Sequence, residues 1–102
     1  MSENNIQVFV QQILQIVPEW SEGVIVVKNK YNLPVVLPIA KTKSKKFKNE
    51  YYSSFKWRPL NKFPYILLFK LIGKVILKDG QIQSVYIVDN GDRYFSIKIV
   101  QQ

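Results

Sequence analysis

The first residues of the chain have an apolar stripe at helical spacing. Its members are Ile6, Val10, Ile13, Leu14 and Val17. Glutamine occupies the other side of the same stretch, at positions 7, 11, 12 and 15. Because residues three and four apart lie on one face of an α-helix, the pattern predicts a helix over residues 5–17 that ends before Pro18.

Two short apolar runs follow this helix. Val24–Val27 is apolar at every position, which is typical of a strand buried on both faces. Residues 28–32 are polar and predict a turn. The next run, Leu33–Ile39, contains Pro34 and Pro38, which both lack a backbone N–H on the same side of the strand. We therefore expect this strand at a sheet edge, with its donor-poor side outward.

Residues 74–100 have the pattern of a three-stranded meander. Asp79-Gly80 and Asn90-Gly91 each stand between apolar runs, and such dipeptides favour a type I′ hairpin turn, in which both central residues have a positive φ. The last strand, 93–100, alternates in polarity and has no proline, so we expect it to present a free edge. Residues 65–72 fit a helix or a strand; Pro64 suits the first position of a helix, and we favour a short helix.

The two strand–turn–strand units resemble each other. Val24 aligns with Val85 and Asn29 with Asn90, and a predicted helix precedes each unit. We therefore predict one α+β domain over residues 1–102. It consists of two packed helix-plus-β-hairpin repeats, 5–40 and 65–100, that arose by internal duplication and are joined by segment 41–64. Each half is too small to bury its apolar face alone, so the halves pack together and leave a surface groove between them.

Segment 41–64 holds most of the positive charge. The chain has 15 Lys and Arg against 7 Asp and Glu, a formal net charge of +8. This segment also supplies aromatic side chains between its lysines. Lysines neutralise phosphates and aromatic rings stack on bases, which predicts sequence-tolerant nucleic-acid binding. The candidate residues are Lys45, Lys46, Lys48, Lys56 and Arg58.

The groove and the free edge support a second function, the binding of a peptide or protein segment. Main-chain hydrogen bonds to an edge strand give affinity, and aromatic side chains act as anchors. The candidate residues are Tyr51, Tyr52, Phe55, Trp57, Tyr94, Ser96 and Lys98. We favour this function over nucleic-acid binding, because groove and edge both support it independently of charge. We expect the protein to act as a monomer or homodimer.

Composition argues against catalysis. The chain has no cysteine and no histidine, which excludes thiolate and imidazole chemistry and the usual zinc ligands. Its acids are scattered and its glycines form no phosphate-binding cluster. We therefore expect a non-enzyme without metal or cofactor. The longest apolar stretch, Tyr65–Leu77, contains Lys70 and Lys74, whereas a bilayer span needs about 20 apolar residues. With no signal-peptide pattern either, we expect a soluble cytoplasmic protein.

The sequence resembles two groups of known proteins. Residues from Gly73 to Val100, with VYIVDNGDRYFSIKIV at the centre, resemble the first three strands of the OB-fold, which implies nucleic-acid binding by the sheet face. The whole chain, with VIVVKNKYNLPVVLPI and SVYIVDNGDRYFSIKIV joined by KTKSKKFKNEYY, is similar to the small orphan proteins of Acidianus-type filamentous viruses. This second resemblance implies a viral origin and a hyperthermophilic archaeal host, and it supplies no site residues.

Overall fold

The computed structural model of the chain describes residues 3–41, 50–54, 63–89 and 94–99. Two helices and six strands lie in these ranges. They are α1 (Glu3–Gln15), β1 (Gly23–Lys28), β2 (Pro34–Lys41), β3 (Glu50–Ser54), α2 (Tyr65–Lys70), β4 (Lys74–Leu77), β5 (Ile82–Asp89) and β6 (Tyr94–Ile99). The predicted N-terminal helix and the short helix after Pro64 are therefore both confirmed.

The six strands form one closed antiparallel barrel in the order β1-β2-β3-β6-β5-β4. Two seams join the halves of the chain. At one seam β1 pairs with β4, with Gly23 opposite Leu77. At the other, β3 pairs with β6, from Glu50 opposite Lys98 to Ser54 opposite Tyr94. Each half thus contributes a helix and three neighbouring strands to a single sheet.

The predicted fold, two packed helix-plus-β-hairpin repeats, is wrong, because the strands of both halves form one closed barrel. Strand β3 lies inside segment 41–64, which the sequence pattern assigned to a connecting loop, and it pairs with both β2 and β6. Its sequence, EYYSS, is too short and too polar to show an apolar period. Because backbone ladders join the halves at both seams, no groove separates two repeat units among the described residues.

Of the two predicted edge strands, β6 is not an edge, whereas β2 is paired on one side only over Pro34–Pro38 within the described part of the chain, as its prolines predicted. β6 pairs with β3 on one side and β5 on the other, and closure of a barrel removes free edges. β2 likewise pairs with β1 and β3. Its two prolines, however, lie in the part that pairs with β1 alone, because β3 pairs only with Ile39–Lys41. The missing N–H groups therefore cost no ladder hydrogen bond to β3.

Side chains alternate between two apolar cores. The barrel interior is filled by Ile25, Val27, Leu37, Ile39, Val75 and Ile97. The second core lies outside the barrel, where residues of β1, β2 and β4 pack under both helices; it consists of Phe9, Val10, Ile13, Val24, Val26, Val36, Leu67, Leu68, Leu71 and Ile76. β1 is thus buried on both faces, which explains its unbroken apolar run.

The hairpin between β4 and β5 is confirmed, but its turn differs from the predicted type I′. Gly80 has a φ of 89°, and Asp79 does not have a positive φ. The Leu77 N–H donates to the Gln81 carbonyl at 2.9 Å, so three residues form the loop, with glycine in its left-handed position. The Asp79 carboxylate accepts the Gln81 N–H at 3.0 Å. The Asn90-Gly91 turn lies outside the described residues.

Candidate functional site

The predicted binding residues Tyr51 and Tyr52 lie on opposite faces of the barrel wall. Tyr51 packs against the interior core, whereas Tyr52 points outward and is 45% exposed. Adjacent residues of a strand alternate between its two faces. These two tyrosines therefore cannot serve one binding surface.

The structure brings Tyr52 and Lys98 to the same outer face of the barrel. Lys98 is exposed and stands in register with Glu50, while Tyr52 stands in register with Ser96. Tyr94 lies in β6 opposite Ser54. Seven other predicted site residues lie outside the described residues and stay predictions: Phe55, Trp57, Lys45, Lys46, Lys48, Lys56 and Arg58.

The outer face of β3, β6 and β5 presents polar and aromatic side chains. Tyr86 of β5 is 65% exposed and stands directly opposite Lys98 of β6. Ser84, two residues before Tyr86, accepts a hydrogen bond from the Lys74 ammonium at 3.1 Å. We call Tyr52, Ser84, Tyr86 and Lys98, with Lys74 at their border, the open face. Tyr86 was missing from the sequence-based candidates because it stands within the apolar run VYIV.

Helix α2 provides a second exposed surface, which the sequence pattern did not predict. Leu67, Leu68 and Leu71 belong to the outer core. On the remaining side of the helix, Tyr65, Ile66 and Phe69 are 40%, 67% and 45% exposed. Residues three and four apart are neighbours on a helix, so these three form one patch, here called the α2 surface. The signal in the sequence was a helix, YILLFK, with more apolar residues than one face can bury.

The turn between β1 and β2 lies next to the α2 surface. The Lys28 ammonium is 5.9 Å from the centre of the Phe69 ring, and the turn begins directly after Lys28. The side chain of Asn29 holds this turn by accepting the N–H groups of Tyr31 and Leu33 at 2.9 and 3.0 Å. Tyr31, 68% exposed, is therefore presented on an ordered turn, with the Lys30 ammonium 5.1 Å from its ring centre.

Tyr51, half-buried against the interior core, has an altered proton affinity. Burial, followed by the nearby carboxylates of Glu22 and Asp79, raises the pKa of its phenol above the ordinary value of 10.0. A half-buried phenol near two carboxylates resists ionisation, since the phenolate would lose hydration and be repelled. Tyr51 thus stays protonated to higher pH than a free tyrosine and packs against the interior core as a neutral phenol.

The Tyr51→Phe variant tests this assignment. A folded-state pKa above the unfolded one means that the folded chain holds the proton more tightly. The resulting stabilisation is complete below the unfolded pKa of about 10 and is lost as the pH rises through the folded pKa. Above about pH 10, we expect the free energy of unfolding of the native protein to fall relative to that of Tyr51→Phe. At lower pH, the difference between the two free energies should stay constant. Urea titrations across this range measure the difference; parallel curves throughout would contradict the burial of Tyr51.

Neither surface contains a metal-binding arrangement. Within ranges 3–41, 50–54, 63–89 and 94–99, no three acidic side chains come close enough to hold a metal ion. No helix in the described part of the chain has the length and apolar character needed to cross a membrane. The chemistry that the described surfaces offer is therefore aromatic contact, apolar contact and lysine charge.

Comparison with known proteins gives this chain no relatives. No protein family, no curated protein and no solved structure matches it. The viral origin and the archaeal host that the sequence resemblance implied accordingly stay predictions.

Proposed function

We propose that this protein is a non-catalytic interaction module that binds a protein or peptide segment through the α2 surface. One observation supports this proposal: three large apolar side chains are exposed on a helix whose buried side is already apolar. A surface helix ordinarily has a polar outer face. Apolar patches left exposed on a folded domain mark interaction sites.

The chemistry around the α2 surface indicates what kind of segment it suits. Tyr65 and Phe69 are large aromatic anchors, the type of residue that dominates binding energy in protein interfaces. Lys28 contacts the Phe69 ring, and Lys70 at the end of α2 is exposed. We therefore propose a partner segment with two or more apolar side chains and acidic residues beside them, which the lysines would steer and orient.

This proposal keeps the partner class expected from the sequence and changes the surface. The closed barrel leaves neither an inter-repeat groove nor a free β6 edge to which a peptide could add. Affinity would come instead from burial of apolar area, about 25 cal/mol for each Å² removed from water. Salt would then affect binding only modestly.

Peptide selection followed by calorimetry tests the α2 surface. Random twelve-residue peptides would be displayed and selected on the purified, nuclease-treated protein, and a selected peptide titrated against variants. We expect Ile66→Ala and Phe69→Ala each to weaken binding by roughly 10- to 100-fold, the effect of removing an anchor. Ile16→Ala is a matched control, because Ile16 is also exposed, at 45%, and lies beyond α1.

The outcomes separate the alternatives. A selected peptide whose affinity falls equally in Ile66→Ala and Ile16→Ala would bind elsewhere and overturn the assignment. Sedimentation of the free protein provides the second measurement. If the native chain is a dimer and Ile66→Ala is a monomer, a second copy covers the α2 surface and the proposed partner class is wrong.

A further inference from the structure

The open face differs from the α2 surface in its chemistry. Its exposed rings, Tyr52 and Tyr86, stand among hydroxyl and ammonium groups, whereas the α2 surface presents neighbouring apolar side chains. The described side chains next to Tyr86 are Ser84, on the same face of β5, and Lys98, directly across on β6. An aromatic ring flanked by cations suits a ligand that combines flat π surfaces with negative charge.

We infer that the open face binds single-stranded nucleic acid, with bases stacked on Tyr86 and Tyr52 and phosphates held by Lys98 and Lys74. The two lysines come from strands on either side of β5: Lys98 of β6 is the cross-strand neighbour of Tyr86, and Lys74 of β4 donates to Ser84, two residues before Tyr86. The chain as a whole has a formal net charge of +8, which complements a polyanion.

The spacing of the two rings fits separate bases. Tyr86 and Tyr52 are two strands apart, and their positions differ by two residues along the strands. With strands about 4.8 Å apart and about 3.4 Å per residue, their Cα atoms are about 12 Å apart. Aromatic pairs contact each other at about 4.5–7 Å between ring centres. Each ring is therefore available to a different base.

The closed barrel favours nucleic acid over a peptide at this face. An extended peptide would need unpaired main-chain groups on β5, β6 or β3 to add as a strand. β6, the middle strand of this face, is paired on both sides, so no peptide can add to it as a strand, and a ligand lying across it is bound by side chains. Stacking on an aromatic ring is worth about 1–3 kcal/mol per base and needs no sequence readout.

Anisotropy titrations measure this binding directly. The probes are a fluorescein-labelled twelve-nucleotide oligothymidylate and an abasic strand of the same length, which has the same phosphates and no bases. We expect the native protein to prefer the oligothymidylate, and Tyr86→Ala and Tyr52→Ala each to weaken that binding by roughly 5- to 150-fold. Tyr86→Phe keeps the ring and should retain the affinity.

Tyr31→Ala is the matched control, because Tyr31 is as exposed as Tyr86, at 68% against 65%, and lies on the β1–β2 turn. It should leave the affinity unchanged. Lys98→Ala should reduce the slope of log affinity against log salt by about 0.7, the value for one phosphate contact on a single strand. All these side chains are at the surface, so their loss should leave the fold intact.

Two results would overturn the inference. Equal affinities for the oligothymidylate and the abasic strand would show that charge alone binds, without stacking. Equal losses in Tyr86→Ala and Tyr31→Ala would place the bases elsewhere on the protein. Ile66→Ala should not alter oligonucleotide binding, so failure at the open face and failure at the α2 surface are distinguishable.

Discussion

Replacing Gly23 with alanine is expected to lower the free energy of unfolding by about 3–5 kcal/mol, the range of severe point mutations. A Cβ atom at this position would lie 2.2 Å from the carbonyl oxygen of Ile76 and 2.9 Å from the Cα of Leu77. Both are backbone atoms of β4, so no side-chain rotation can relieve the clash. The β1–β4 seam would have to separate at one end.

Thermal and urea unfolding followed by circular dichroism measure this loss, with Gly73→Ala as the control. Gly73 has a φ of +79°, and a Cβ there would meet no atom within 4 Å. Its substitution should therefore cost only the strain of a left-handed residue, about 1–2 kcal/mol. If Gly23→Ala costs no more than Gly73→Ala, then β1 and β4 do not approach as closely as the closed barrel requires.

The large effect expected at Gly23 follows from the shortness of this seam. β1 and β4 are in register at three residue pairs, from Gly23 opposite Leu77 to Ile25 opposite Val75. One backbone hydrogen bond extends the seam at each end. The Gly73 N–H donates to the Val26 carbonyl at 2.9 Å, and the Lys78 N–H donates to the Glu22 carbonyl at 3.1 Å. A disturbance at one pair therefore affects a large share of the contact that closes the barrel.

Local periodicity accounts for what the sequence predicted correctly. The spacing of apolar residues indicated α1, the unbroken run Val24–Val27 indicated a doubly buried strand, and Asp79-Gly80 indicated a hairpin. Each of these signals lies within about a dozen residues. Strand β3 has no comparable signal, because it is stabilised by pairing with β2 and with the distant β6. Because the sequence pattern did not predict β3, it indicated two hairpins in two separate units.

The binding surfaces were hard to predict for a related reason. In the run VYIV, both faces of β5 appear apolar, and the pattern alone does not show that Tyr86 would be left outside the core. In YILLFK every residue before the lysine has a large, mainly apolar side chain. Which of them the barrel covers depends on the docking angle of α2, which is a tertiary property. Which side chains of α2 and β5 are exposed therefore follows only from the packing of the second core.

Substitution of Phe9 by alanine is the other change expected to have a large effect. Phe9 is 2% exposed and belongs to the core that holds both helices against the barrel. Its ring meets Phe63, just before α2, edge to face, with 5.7 Å between centres and an interplanar angle of 90°. Loss of the ring should cost about 3–5 kcal/mol, through lost burial and the cavity left behind.

Urea unfolding tests this loss against Val8→Ala. Val8 is next in the chain and 59% exposed, so its truncation should change stability by less than about 0.5 kcal/mol. Similar losses in the two variants would mean that α1 does not dock through Phe9. In the milder Phe9→Leu variant, Phe63 loses its aromatic partner although no residue of the α2 surface changes. We expect selected peptides to bind this variant more weakly while oligothymidylate affinity stays constant, because no residue of the open face belongs to this core.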